Sequence, residues 1–293
     1  MKNYLLIPLI ALGLFAGACK AVDPIQEFAE YENCVVYSTD SSTGEGVATD
    51  YARINVTGDM TSGLFSLEFV DFKLTPAANV ATAKVKGLMQ YFRDVTDEHG
   101  QTKDILYTYF YKEGNTYADG DMQVANLKFG WLSTVYWGSF TSDNGRIRVW
   151  TLPRDVETYA NLNVIVNERG DSLYENALTP RYNVEINTAA STVTFRASAV
   201  KLPADKSQPH TKFDFRTLVW ENLPVRFNEK GFTIDKPEFS FVGDNGKFTV
   251  TDFHCTFSAD YDGERTLEYT IHSEASGETL RVKTTLDYFK AKI

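Results

Sequence analysis

The chain is poor in the residues that most often carry chemistry. It has four histidines and three cysteines in 293 residues. His99, His210, His254 and His272 are scattered, and none falls in His-x-His or His-Glu-x-x-His spacing, so a zinc site built on neighbouring ligands is not indicated. There is no Gly-x-Ser-x-Gly elbow, no P-loop and no dinucleotide fingerprint. Asp119-Gly120-Asp121 and Asp260-Tyr261-Asp262-Gly263 lack the oxygen spacing of a calcium loop and are expected to be hairpin turns. Carboxylates are plentiful, but no pair stands out for glycoside hydrolysis. No catalytic residue, no metal and no cofactor is therefore expected. Basic clusters are also lacking: 29 Lys and Arg face 39 Asp and Glu, a formal charge of −10. That balance argues against a nucleic-acid partner, which needs a basic footprint. Beyond the first residues no apolar run is long enough to span a bilayer, and no low-complexity tract occurs. Helix signals are nearly absent; Pro24 to Glu32 ("PIQEFAEYE") is expected to make one or two helical turns.

The start of the chain is distinctive. Lys2 precedes an almost unbroken apolar run from Tyr4 to Phe15, then Ala16, Gly17, Ala18 and Cys19. This is the layout of a secretory signal. Ala-Gly-Ala-Cys resembles the lipobox of bacterial lipoproteins. That resemblance implies cleavage after residue 18, acylation of Cys19 and a lipid-bilayer anchor on a tether over residues 19–27. Lys20 stands where an Asp would signal inner-membrane retention, which points to the outer membrane, facing the periplasm or the surface.

The body contains a repeat. "RINVTGDMTSGLFSLEFVDFKLTPA", from Arg53, aligns without a gap with "RYNVEINTAASTVTFRASAVKLPAD", from Arg181. In both, an alternating run (Phe65, Leu67, Phe69; Val193, Phe195, Ala197) slips phase (to Phe72, Leu74; to Val200, Leu202), the mark of a bulge or sharp corner. Met122, Val124, Leu127 and Phe129 slip likewise, as do Phe248, Val250, Phe253, Cys255 and Phe257. "RVWTL" from Arg148 matches "RVKTTL" from Arg281, and "NCVVYS" from Asn33 is aligned with "NVIVNE" from Asn163. Two tandem β domains follow, residues 28–152 and 156–293, each with seven to nine antiparallel strands. Ser142-Asp143-Asn144-Gly145 and Gly243-Asp244-Asn245-Gly246 supply tight turns. An all-β fold is predicted, barrel or sandwich.

With Cys19 lipidated, Cys34 and Cys255 remain. Cys34, aligned with Val164, and Cys255, between Phe253 and Phe257, point into different cores. No disulfide is expected, and both thiols act as small hydrophobes.

The aromatics offer the candidate binding residues. Trp131, Tyr136 and Trp137 lie where the second copy has the plainer "SADYDGER". Two readings are open: a stacking platform for sugars or another apolar ligand, or packing in a core or domain interface. Tyr107, Tyr109 and Tyr111 alternate with Thr108 and Phe110, an aromatic strand on both faces that fits burial against a second domain or ligand binding. Asp171-Ser172-Leu173, expected in a polar loop after Gly170, resembles the short O-glycosylation acceptor of the Bacteroidetes, with Ser172 as acceptor.

The lipobox, the two β copies and the style of "FSLEFVDFKL" resemble lipoproteins of gut and oral Bacteroidetes, and within them the calycin-like, lipocalin-related β-barrel group. The resemblance implies an antiparallel barrel with a ligand cavity, although the Gly-x-Trp of lipocalins is missing. The expected function is non-enzymatic binding of a glycan or small apolar ligand by an envelope lipoprotein. The alternative is a structural or adhesive, fimbrillin-like component, against which the matching closing strands argue.

Overall fold

A computed structural model describes residues 25–96, 102–118, 122–132, 135–173, 181–202, 213–260 and 263–288. The lipobox with Cys19, the turn expected at Asp119–Asp121, Tyr261 and Asp262 of the turn expected from Asp260, His99 and His210 lie outside the described residues. Eighteen strands are present: β1 Ile25–Asp40, β2 Gly46–Asp59, β3 Leu64–Lys73, β4 Val80–Leu88, β5 Tyr91–Thr96, β6 Thr102–Ala118, β7 Gln123–Leu132, β8 Val135–Ser142 and β9 Ile147–Pro153, then β10 Asp155–Asn167, β11 Ser172–Leu173, β12 Arg181–Asn187, β13 Thr192–Leu202, β14 Phe213–Asn228, β15 Gly231–Gly243, β16 Gly246–Ser258, β17 Arg265–Ser273 and β18 Thr279–Asp287. Among the described residues the only helical element is a single 3-10 turn, Asp143–Gly145. The helical turns expected after the tether are strand instead. Along β1, Ala29 and Tyr31 pack against the core while Phe28, Glu30 and Glu32 face solvent. A period-two pattern paired with β2 outweighs the helix preference of Glu, Gln and Ala.

The strands form two barrels rather than a sandwich. The second is closed: β10, β12, β13, β14, β15, β16, β17 and β18 follow one another, and β18 pairs back onto β10. The first runs β4-β3-β2-β1-β9-β8-β7-β6-β5. Its edges, β4 and β5, are separated in the chain by Met89 and Gln90 alone. Together they occupy the place of β14. Ala83 faces Phe69 and Tyr91 faces Tyr109; 135 positions on from the first members, Leu218 faces Ala197 and Arg226 faces Thr233. The first barrel is thus the second with one long strand interrupted.

The repeat holds at the level of register. Arg53 faces Val70 and Asp59 faces Leu64; 128 positions on, Arg181 faces Ser198 and Asn187 faces Thr192. Asp59 and Asn187 each accept backbone hydrogen bonds in the turn that follows, from Thr61 and Ala190. Left-handed backbone recurs too: Asn126 and Asp252 (φ 52° and 53°), and Gly87 and Asn222 (φ 70° and 55°), occupy matching bulges. Arg148 and Arg281 correspond as the sequence indicates, because Gly138 faces Thr151 and, at the matching positions, Leu267 faces Thr284. One alignment is corrected. The β10–β18 pairing puts Asn163 in the place of Val36, because Val36 faces Thr151 and Asn163 faces Thr284. Cys34 then matches Ala160 rather than Val164: Cys34 faces Pro153 and Ala160 faces Leu286.

Alternation fills both interiors. The first core gathers Ile54, Leu67, Phe69, Phe72, Phe129 and Phe140; in the second, Trp220 sits among Phe239, Phe241, Phe253 and Tyr269 at ring distances of 5.1–6.1 Å. An eight-stranded barrel is just wide enough for side chains to fill it. Cys34 and Cys255 are buried, unpaired and in separate cores. Burial pushes the Cys34 thiol up to about 12 and the Cys255 thiol higher still. His254 lies on the opposite strand face from Cys255, half exposed, with Nδ1 2.7 Å from Asp235.

Candidate functional site

The strands β1, β8 and β9 are buried on both faces, which ordinary barrel strands are not. Their inward side chains (Cys34, Val36, Tyr136, Phe140, Val149) belong to the first core; their outward ones (Val35, Tyr37, Trp137, Trp150, Leu152) belong to the core of the second barrel. The first barrel's flank closes one end of the second. Trp137 stacks on Tyr288, Tyr37 stacks on Phe227 at 5.4 Å, and the Trp150 indole donates to the Asn228 carbonyl at 2.8 Å. Arg265 stands over Tyr288 with its guanidinium carbon 4.3 Å from the ring centre. Only Arg154 separates β9 from β10, and its carbonyl accepts from Ile186 of β12. The barrels are therefore joined by packing as well as by chain.

This arrangement decides where the sequence candidates lie. Trp137 and Tyr136 are buried, Trp137 in the inter-barrel contact and Tyr136 in the first core. Trp131 is half-buried against Phe110 and Phe129 at 4.9 and 5.9 Å. The three do not form one exposed platform, because adjacent residues of a strand face opposite ways. Of Tyr107, Tyr109 and Tyr111 only the backbone is described; Phe110, between them, is buried. Ser172 is in the two-residue strand β11, an edge strand paired with β10, and not in the expected loop. Asp260 meets Lys128 of the first barrel at 3.5 Å, and among the described residues no cluster of His, Cys, Asp and Glu is suited to a metal.

The junction leaves two grooves. One, about 820 Å³, is lined by Ala29, Glu30, Tyr31, Glu32 and Asn33 of β1, by Tyr136, by Pro153, Arg154 and Asp155 of the connection, and by Glu185 of β12. Its floor is the pair Tyr31–Tyr136, with ring centres 4.5 Å apart. The Tyr136 hydroxyl is buried and makes no well-formed hydrogen bond; the Cys34 thiol beside it is a weak partner. Desolvation and the neighbouring thiol raise the Tyr136 pKa well above the usual tyrosine value, so this hydroxyl stays protonated and able to donate. Four carboxylates, Glu30, Glu32, Asp155 and Glu185, line the groove with Arg154, which donates to the Tyr51 hydroxyl at 2.9 Å. The second groove, about 460 Å³, runs along Trp150 and Phe140 and is crossed by Arg148–Glu229 at 2.6 Å and Lys128–Asp260 at 3.5 Å. Sequence reasoning singled out Tyr136 but missed Tyr31, Glu32 and Arg154. Their only signal is position beside the junction of the two copies.

Fold and site together define a tandem of fused antiparallel barrels, the first nine-stranded and nearly closed, the second closed by eight strands, with a polar groove at their junction. The chain matches no protein-family model, no curated protein and no solved structure.

Proposed function

We propose that this chain is a cell-envelope lipoprotein, anchored in the outer membrane through acylated Cys19, that binds a glycan in the groove between its barrels without transforming it. The observation that carries the reading is the Tyr136 hydroxyl, buried and poorly satisfied at the floor of a groove of about 820 Å³. A buried donor without a good partner costs about 1–3 kcal/mol, and a ligand oxygen would offset that cost. Carboxylates at the rim suit the hydroxyls of a neutral sugar or the ammonium of an amino sugar, and the half-buried Tyr31 ring offers a stacking face. A small apolar ligand fits this polar lining less well, and the aromatic filling of the interiors favours the junction over a lipocalin-type cavity. The lipobox residues Ala16 to Cys19 support the anchor, and Ser172 on its edge strand is a candidate glycosylation acceptor. For the adhesive alternative, strand addition would need an open edge. The closing strands β18, flanked by β17 and β10, and β9, flanked by β8 and β1, are not such edges, so strand addition would have to use β4, β5 or the two-residue β11.

The test is calorimetric titration of the purified protein against a panel of neutral and amino-bearing glycans. Saturable binding is expected, weakened about tenfold by Tyr136→Phe, the worth of one buried hydrogen bond. Equal binding by Tyr136→Phe, or no binding by any member of the panel, overturns the reading.

A further inference from the structure

The two barrels differ at one end in a way their shared fold does not require. At the end of the first barrel where β1 begins, Ile25, Phe28, Met60, Leu64, Met89 and Tyr91 are between 37 and 61 % exposed. They belong together. Ile25 pairs with Asp59, which pairs with Leu64 across the β2–β3 turn that holds Met60. The Phe28 ring lies 5.0 Å from Phe65, Phe65 pairs with Leu88, and Met89 to Tyr91 follow. The register of the repeat gives the matching residues of the second barrel. For Met60, Leu64, Met89 and Tyr91 they are Thr188, Thr192, Pro224 and Arg226, whereas Phe28 sits in a bulge between Glu27 and Ala29 that the second barrel lacks. Those positions also lie at the surface. A barrel of this design thus tolerates charged and hydroxyl side chains there, and the apolar set in the first barrel is no demand of folding. Contiguous exposed apolar residues of this kind mark a contact surface.

We propose that this end of the first barrel rests on the lipid surface, with Phe28, Met60, Leu64 and Met89 dipping into the headgroup–acyl boundary. The inference rests on the anchored reading given above. Two observations choose lipid over a second copy of the chain. First, Ile25 is six residues past Cys19. At 3.3–3.6 Å per residue the tether reaches at most about 20 Å, so the apolar end is the part of the body held nearest the bilayer. Second, among the described residues the surface that covers a barrel end is the flank bearing Trp137, Trp150 and Leu152. The second barrel has Thr266, Lys283 and Thr285 at those positions, with Lys283 paired to Glu268 at 2.6 Å. A second copy therefore has no free apolar flank to offer in that geometry. Acidic residues beside the patch, Glu27 and Asp59, make the contact apolar rather than electrostatic.

The experiment uses the acylated full chain in phosphatidylcholine vesicles, with a nitroxide on Met60→Cys and, as control, on Ser276→Cys in the β17–β18 turn. The buried thiols Cys34 and Cys255 leave these as the labelled sites. The Met60 label is expected to favour collision with oxygen over a water-soluble nickel complex, and the Ser276 label the reverse. Phe28→Ser/Leu64→Ser/Met89→Ser should return the Met60 label to water while the protein stays with the vesicles. A water-exposed Met60 label in anchored protein overturns the proposal, as does a label shielded only in a dimer. The non-acylated Cys19→Ser chain separates the two readings. Its flotation with phosphatidylcholine vesicles at high lipid should be weak and fall about tenfold or more in the triple-Ser background. If wild-type chain carries no acyl group but this flotation persists, the anchor fails and the apolar contact stands. If flotation is absent or unaffected by the three serines, the contact fails.

Discussion

Trp137 of the first barrel lies face to face with Tyr288 of the second, ring centres 5.2 Å apart and planes 9° from parallel. Both rings are almost wholly buried. Removing the larger one leaves a cavity at the seam, and such truncations cost about 3–5 kcal/mol. Trp137→Ala is expected to split a single denaturant transition into two, because the seam couples the barrels. A variant that still unfolds in one transition at the wild-type midpoint would show that the stack contributes little.

The ion pair Arg148–Glu229 crosses the same seam at 2.6 Å, yet both side chains are more than 40 % exposed. Exposed pairs contribute about 0–1 kcal/mol. A double-mutant cycle on Arg148→Ala and Glu229→Ala should give a coupling below about 1 kcal/mol, smaller still in high salt. The contrast with Trp137→Ala assigns cohesion of the barrels to apolar contact.

The buried thiols make stability depend on alkaline pH. Folding raises the Cys34 pKa from 9.0 to about 12, so the folded state holds its proton where the unfolded chain releases it. The associated stability is complete below pH 9 and is lost as pH rises towards 12. Burial raises Tyr288 to about 12 as well, in the same direction. Urea midpoints should fall between pH 9 and 12, and less steeply in Cys34→Ala. At pH 8 a thiol reagent should modify Cys34 and Cys255 only after unfolding.

Gly87 and Asn222 occupy matching bulges with φ of 70° and 55°. Space around Gly87 is open, so the penalty for Gly87→Ala is one of backbone alone, about 1–2 kcal/mol. Asn222→Gly should leave stability near that of wild type. Equal losses in both variants, read from thermal melts, would contradict the equivalence of the two bulges.

Much of the fold was legible because a barrel strand writes its inner face every second residue. The gapless match from Arg53 and Arg181 survives as identical pairing, and the phase slip at Phe69 to Phe72 marks a bulge, whereas β13 keeps its register with β14 from Ala197 to Val200. What sequence concealed has physical causes. Residues 25–32 combine helix-favouring Glu, Gln and Ala with a strand pattern that only pairing with β2 reveals. The interruption at Met89–Gln90 leaves the interval between copies unchanged, so it is silent in an alignment. Trp137 and Trp150 are outward-facing residues whose partners, Tyr288 and Asn228, lie far along the chain. The clue present in the sequence was apolar residues on both phases of β1, β8 and β9. For the groove, Tyr31, Glu32 and Arg154 meet only because a single residue joins the barrels.

The proposed anchor at Cys19 underlies both the proposed role and the proposed seat on the bilayer, and the mass of the mature N-terminal peptide tests it most directly. Protein recovered from the membrane fraction is expected to begin at Cys19 and to carry the mass of glyceride-linked and amide-linked acyl chains. A mature chain that begins elsewhere, or that begins at Cys19 with a free thiol, would contradict the account.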